Sequence, residues 1–150
     1  MRTHLCLTVA VLCALPFSAG ATDCRPTPHR TTGTHYQPVT EQKVNVGSGV
    51  VVRGRILAAP DCLPVPNARI AHWQADESGE YVDRLRAYLF SDATGHYEFE
   101  TEWPNLAIPH IHFIVTADGY PVLETQWRGS SRTDLIEFDL VLQKKREGTP

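Results

Sequence analysis

His110 and His112 stand one residue apart in the apolar run from Ile108 to Val115. On an extended strand residues i and i+2 share a face, so the two imidazoles lie side by side while Ile111, Phe113 and Val115 point the other way, into a core. Two neutral imidazoles so placed form half of a metal site. The same spacing also suits two unrelated histidines, one capping a strand end and one hydrogen-bonded in a groove. Tyr81 is the leading further donor and follows the polar loop from Gln74 to Glu80. A tyrosinate is a hard, strongly donating anion that suits ferric iron better than zinc or copper. A bound cation ionises a phenol as it ionises water. Without a metal, Tyr81 is an ordinary surface tyrosine with an apolar body and a wet tip.

The elements that must position these residues are strands. Gly49 to Leu57 alternates around Val50, Val52 and Ile56, and Asn67 to Ala75 follows the edge made by Pro64, Val65 and Pro66. His96 to Thr101 carries Tyr97 and Phe99 at alternate positions; Ile108 to Ala117, Val122 to Trp127 and Asp134 to Leu142 complete the set. In the last, Ile136, Phe138, Leu140 and Leu142 share a face, as a half-buried strand requires. Turns fall between the runs, at Asp92 to Gly95 and at Ala117 to Gly119. No window holds an amphipathic helix, and eleven prolines argue against long ones. Short strands at regular spacing predict an all-β protein, an antiparallel β-sandwich.

The N-terminus predicts the compartment. Arg2, the apolar stretch from Leu5 to Phe17 and the small residues up to Ala21 read as a signal peptide over residues 1–21, cleaved after Ala21. That stretch is too short for a comfortable membrane span, so a secreted or periplasmic product is expected, with no membrane partner after cleavage. Residues 22–47, rich in Pro, Thr and Gly without periodicity, read as an extended arm. Residues 48–143 form the sandwich, and 144–150 a polar tail. The formal charge of −3 becomes −4 once Arg2 leaves, and no basic stripe points to nucleic acid. Cys6 and Cys13 depart with the signal. Cys24 and Cys62 remain as an even pair in an oxidising compartment and are expected to form a disulfide.

The stretches from Cys62 to Tyr81, from Phe90 to Thr101 and from Pro109 to Phe113 together resemble the intradiol ring-cleavage dioxygenases, in the same order. Thr125, Gln126 and Trp127 resemble that family's Thr-Gln-aromatic segment, and Cys24 to Pro28 the start of its small secreted members. Leu63 to Asp76 with Asp92, Gly95, Tyr97 and Phe99 also looks like small transthyretin-like modules. The resemblance implies a transthyretin-like sandwich holding a non-haem Fe(III). Its substrates are a catechol or related ortho-diol and O2, and its product is a muconate-type dicarboxylate. Carried over by position, Tyr81, His110 and His112 are metal ligands, and Gln126 is the active-site glutamine that helps hold substrate.

One departure is plain. Between Thr101 and Pro109 the family usually carries a second tyrosine ligand followed by an arginine. Here the segment is only Glu102 to Ile108, with Ala107 three residues before His110 and neither residue type present. The tyrosine's base role is worth ~10²–10⁴-fold, and the arginine's electrostatic role can be as large. Tyr36 and Tyr88 are the candidate substitutes for the ligand. His72, on a face with Ile70, is expected to be a core histidine with a hydrogen-bonded ring; His29, His35 and His96 are expected to face solvent. The leading expectation is therefore a secreted dioxygenase of this type. Three rivals stand beside it: a catalytically degenerate metal-binding or structural module, a periplasmic zinc or copper protein using the same histidines, and a metal-free adhesion or carbohydrate-binding sandwich.

Overall fold

Alternating burial builds two facing sheets. The structure, a computed structural model, describes residues 24–33 and 35–145; the expected signal peptide and the tail from 146 onward lie outside them. Nine strands follow in order: β1 (Val50–Ala59), β2 (Leu63–Pro64), β3 (Arg69–Ala75), β4 (Tyr81–Phe90), β5 (His96–Thr101), β6 (His110–Thr116), β7 (Leu123–Arg128), β8 (Leu135–Glu137) and β9 (Leu140–Gln143). One sheet has the order β4-β3-β6-β7 and is antiparallel throughout. The other is organised on the long strand β1, which pairs antiparallel with β2 and β5 and parallel with β8 and β9. There is no helix among the described residues, so none is long and apolar enough to cross a membrane.

The core lies between the sheets. Val52, Ile56, Phe99, Ile111, Phe113 and Leu140 pack there with at most 1% of their surface exposed. Burying such side chains is the main driving force for folding, at about 1.5–3 kcal/mol each. The tail-end run expected as one strand is two. Phe138 donates its N–H to Arg53 O, Asp139 Oδ1 accepts from Arg55 N, and a Cβ on Gly54 would collide with the Phe138 carbonyl. The ladder with β1 therefore breaks after Glu137 and resumes at Leu140, three residues later. The two parallel pairings arise because the chain crosses from β7 to the other sheet before β8 begins.

β4 was not expected. Tyr81, placed by sequence in a loop, opens it. Asp76 ends β3 in a tight turn whose Oδ1 accepts from Ser78 N, Ser78 Oγ and Glu80 N at 2.6–2.9 Å. Gly79 supplies the left-handed residue at φ 87°. The strand then carries an irregularity, with Trp73 opposite Arg86 but Ala75 opposite Tyr81. This breaks the period-2 pattern that would have revealed it.

The arm crosses the outer face of the four-stranded sheet. A disulfide joins Cys24 to Cys62. Thr27 then bonds to Val141, Arg30 N to Glu124 O, and Tyr88 N to Glu41 O before the chain enters β1. It buries Val39, Ala71 and Trp73 as a second, smaller apolar cluster.

Candidate metal centre

Three side chains meet under this arm. His110 and His112 project from the outer face of β6, as their spacing predicts, and Tyr81 reaches them from the start of β4. Tyr81 Oη lies 2.8 Å from His110 Nε2 and 3.2 Å from His112 Nε2. Two donors bound at about 2.1 Å to one cation and about 90–110° apart are themselves about 3.0–3.4 Å apart. The Tyr81–His112 separation falls in that range and the Tyr81–His110 separation just below it, so the tyrosine oxygen is placed to share a small cation with either imidazole. No group of three or more His, Cys, Asp or Glu side chains suited to a metal occurs among the described residues, so a centre here depends on the tyrosine.

Each ligand candidate is held from behind. His110 Nδ1–H donates to Ile108 O at 2.8 Å, leaving Nε2 free to face the trio. The Gln126 amide donates to His112 Nδ1 at 3.3 Å and to Thr31 O at 3.0 Å, while Arg128 donates to Gln126 Oε1 at 3.1–3.2 Å. The ring of His112 stacks on Trp73, its cross-strand partner, with centroids 4.8 Å apart and planes 3° from parallel. With Nδ1 accepting, His112 carries its proton on Nε2 and donates to Tyr81, which in turn donates to His110. Metal-free, the trio is one hydrogen-bonded chain.

Electrostatics favour neutral imidazole. Burial, with the neighbouring His110, His35, Arg86 and Arg128, pushes His112 down to about 4, so at neutral pH no imidazolium proton has to be expelled. Burial raises the Tyr81 phenol, a shift opposed by Arg86. Its ionisation therefore requires a cation at the trio.

The arm contributes what the sequence did not indicate. His35, expected to face solvent, is exposed on one side but stacks on Tyr81, with centroids 4.2 Å apart and planes 2° from parallel. The His35 carbonyl accepts from buried Arg86 at 2.9 Å. The candidate substitutes lie elsewhere: Tyr36 meets the edge of Trp73, and Tyr88 lies beneath Arg69 and against Phe90. His72 is fully buried and stacked on Phe99, but neither ring nitrogen has a hydrogen-bond partner among the described residues, contrary to expectation. His29 is exposed beside Glu124, and His96, half-buried, opens β5. A cavity of about 710 Å³ on the β1 sheet, lined by Arg53, Arg55 and His96 among others, shares no residue with the trio. The donors, not this hollow, mark the chemistry.

Known proteins resemble this chain in sequence and fold. A hydroxyquinol 1,2-dioxygenase of Rhodococcus opacus is 38% identical over a region covering 41% of this chain and 30% of that protein. A catechol 1,2-dioxygenase of Acinetobacter lwoffii is 29% identical, covering 53% and 39%. The dioxygenase domain of a carbohydrate-binding fusion protein from Streptomyces sp. SirexAA-E superposes with a TM-score of 0.72 at 24% identity, over 81% of this chain and all of that one. In sequence over part of its length, and in fold, this chain is similar to intradiol ring-cleavage dioxygenases. The 3-chlorocatechol 1,2-dioxygenase of Rhodococcus opacus shares the fold at 16% identity and a TM-score of 0.69, over 83% and 75% of the two chains. No protein-family model matches the sequence. The chain spans only 30–39% of the length of those curated intradiol relatives. Arg86, Arg128 and Trp73 were not singled out by sequence. Arg128 was within reach, since it shares the face of Gln126 two residues on.

Proposed function

We propose that this protein binds a non-haem ferric iron through Tyr81, His110 and His112 and cleaves catechol-type aromatic diols with O2 to muconate-type dicarboxylates. The observation that carries this reading is that Tyr81 Oη lies within 3.2 Å of the Nε2 atoms of both His110 and His112. Bound there, ferric iron would draw electron density from a chelated diolate and open the ring to attack by O2. The chain's own part is to hold, orient and exclude water. Tyr81 would hold the cation as its phenolate, its proton released to solvent. His110 is fixed by Ile108 O, and His112 is clamped between Trp73 and Gln126. Gln126, the residue the resemblance assigns to holding substrate, lies beside His112, and a substrate oxygen would have to displace one of its two amide contacts, to His112 Nδ1 or to Thr31 O. The arm shields the centre, and His35 covers the face of Tyr81. Secretion or periplasmic export, read from the first 21 residues, would place this activity among phenolics outside the cytoplasm.

A second reading is a metal-binding module without turnover. It is favoured by the two tyrosines that stay away from the trio, which leave three protein ligands. One experiment separates the two. The protein is loaded with iron anaerobically and re-oxidised, and its metal content, visible spectrum and oxygen uptake with catechol are recorded. One iron per chain, a tyrosinate charge-transfer band that shifts with catechol, and oxygen uptake support the dioxygenase. The same band without uptake supports the module. A colourless protein that loses iron sinks both.

A further inference from the structure

Arg128 is a cation without an anion. Several other arginines of the described residues have a carboxylate partner: Arg53 with Glu137, Arg84 with Glu102, Arg86 with Asp83 and Arg132 with Glu77. No carboxylate lies within ion-pair distance of Arg128 among the described residues. Its hydrogen bonds among the described residues go to the neutral Gln126 Oε1, through Nε and Nη2. Its place is fixed. Arg128 is the cross-strand partner of His110, and the next residue locks the register through Gly129 N–H to Pro109 O at 2.9 Å. Cross-strand partners have Cβ atoms about 4.5–5.5 Å apart, so the guanidinium lies at the rim of the trio. The exposed side chain leaves its outer N–H groups free for a ligand. Tyr81 is the only side chain of the trio that can become an anion, so a positive charge sits uncompensated at this rim.

We propose that Arg128 is the oxyanion-binding group of this site, its guanidinium taking an anionic oxygen of an aromatic diol seated at Tyr81, His110 and His112. This rests on the reading above that a diol binds there. The oxygen belongs either to the ring diolate or to a carboxylate on the ring; a guanidinium fork suits both.

The test measures anaerobic binding of catechol and of 3,4-dihydroxybenzoate, followed by tryptophan fluorescence and, where iron is held, by the visible band. Both iron-loaded and iron-free protein are used, so retention of iron judges the earlier reading separately. Arg128→Met should weaken binding about tenfold to hundredfold without changing iron content, and Arg128→Lys should restore part of it. Equal loss for both diols assigns the contact to a ring oxygen. Loss confined to 3,4-dihydroxybenzoate assigns it to the carboxylate. Arg128→Met should cost as much when added to Gln126→Ala. A cost that vanishes in that background means Arg128 only orients Gln126 and overturns the proposal. So does unchanged affinity for both diols, or wild-type protein that binds neither.

Discussion

The imidazole of His35 lies flat on the phenol of Tyr81, with centroids 4.2 Å apart and planes 2° from parallel. The pair joins the arm to the candidate centre, because Tyr81 also touches both histidines. An aromatic pair contributes about 0.5–1.5 kcal/mol beyond its buried area. His35→Ala should therefore loosen the cover over the trio and speed removal of bound metal by a chelator about 2–12-fold. Stopped-flow extraction from wild type and variant checks this. Equal rates would mean the arm does not control access.

The arm is anchored upstream. The Cys24–Cys62 bridge closes a sequence separation of 38 residues, which the loop-entropy relation values at about 4 kcal/mol. Cys24→Ser with Cys62→Ser should lower the denaturation midpoint accordingly and expose the arm at Arg30 to trypsin before the sandwich unfolds. Simultaneous loss of arm and sandwich would show instead that the two are one cooperative unit.

Gln126 sets the tautomer of His112. In the metal-free arrangement its amide donates to Nδ1, so a cation on Nε2 requires the proton to move to Nδ1 and the amide to turn its oxygen inward. Gln126→Glu presents an acceptor without that rearrangement, giving a carboxylate–histidine–metal relay. Metal affinity should rise by about tenfold, whereas Gln126→Leu should lower it by about 10–100-fold. Competition with a chelator of known affinity measures both. A Glu variant weaker than wild type would count against His112 as a ligand.

Much of this was readable from local pattern. The alternation around His110 and His112 placed β6 and its two faces, because one buried face fixes a strand's register. The polar loop from Gln74 to Glu80 made Tyr81 conspicuous, although its strand stayed hidden behind the irregularity opposite Trp73 and Ala75. What could not be read is non-local. His35 is 46 positions from Tyr81, and Arg128 faces His110 only through the β6–β7 register. The buried state of His72 was legible from its neighbours. Its lack of a hydrogen bond was not, because that depends on Phe99 arriving from the other sheet.

His72 should make the fold acid-sensitive. Full burial pushes its pKa from 6.5 down to about 3, since a charged ring between the sheets would lose its hydration. The sign follows directly. The unfolded chain takes up this proton below about pH 6.5, while the folded chain resists until about pH 3. Stability is therefore complete above pH 6.5 and is lost as pH falls through that window. The slope for one such group is about 1.4 kcal/mol per pH unit, or about 2 kcal/mol by pH 5. His72→Leu removes the titrating ring and its two unpartnered nitrogens, so the variant should be at least as stable as wild type at pH 7.5. Its advantage should grow by about 2 kcal/mol at pH 5. Urea denaturation of both proteins at the two pH values measures that difference. Curves that keep the same separation at both would place the acid sensitivity elsewhere, with His112 the next residue to change.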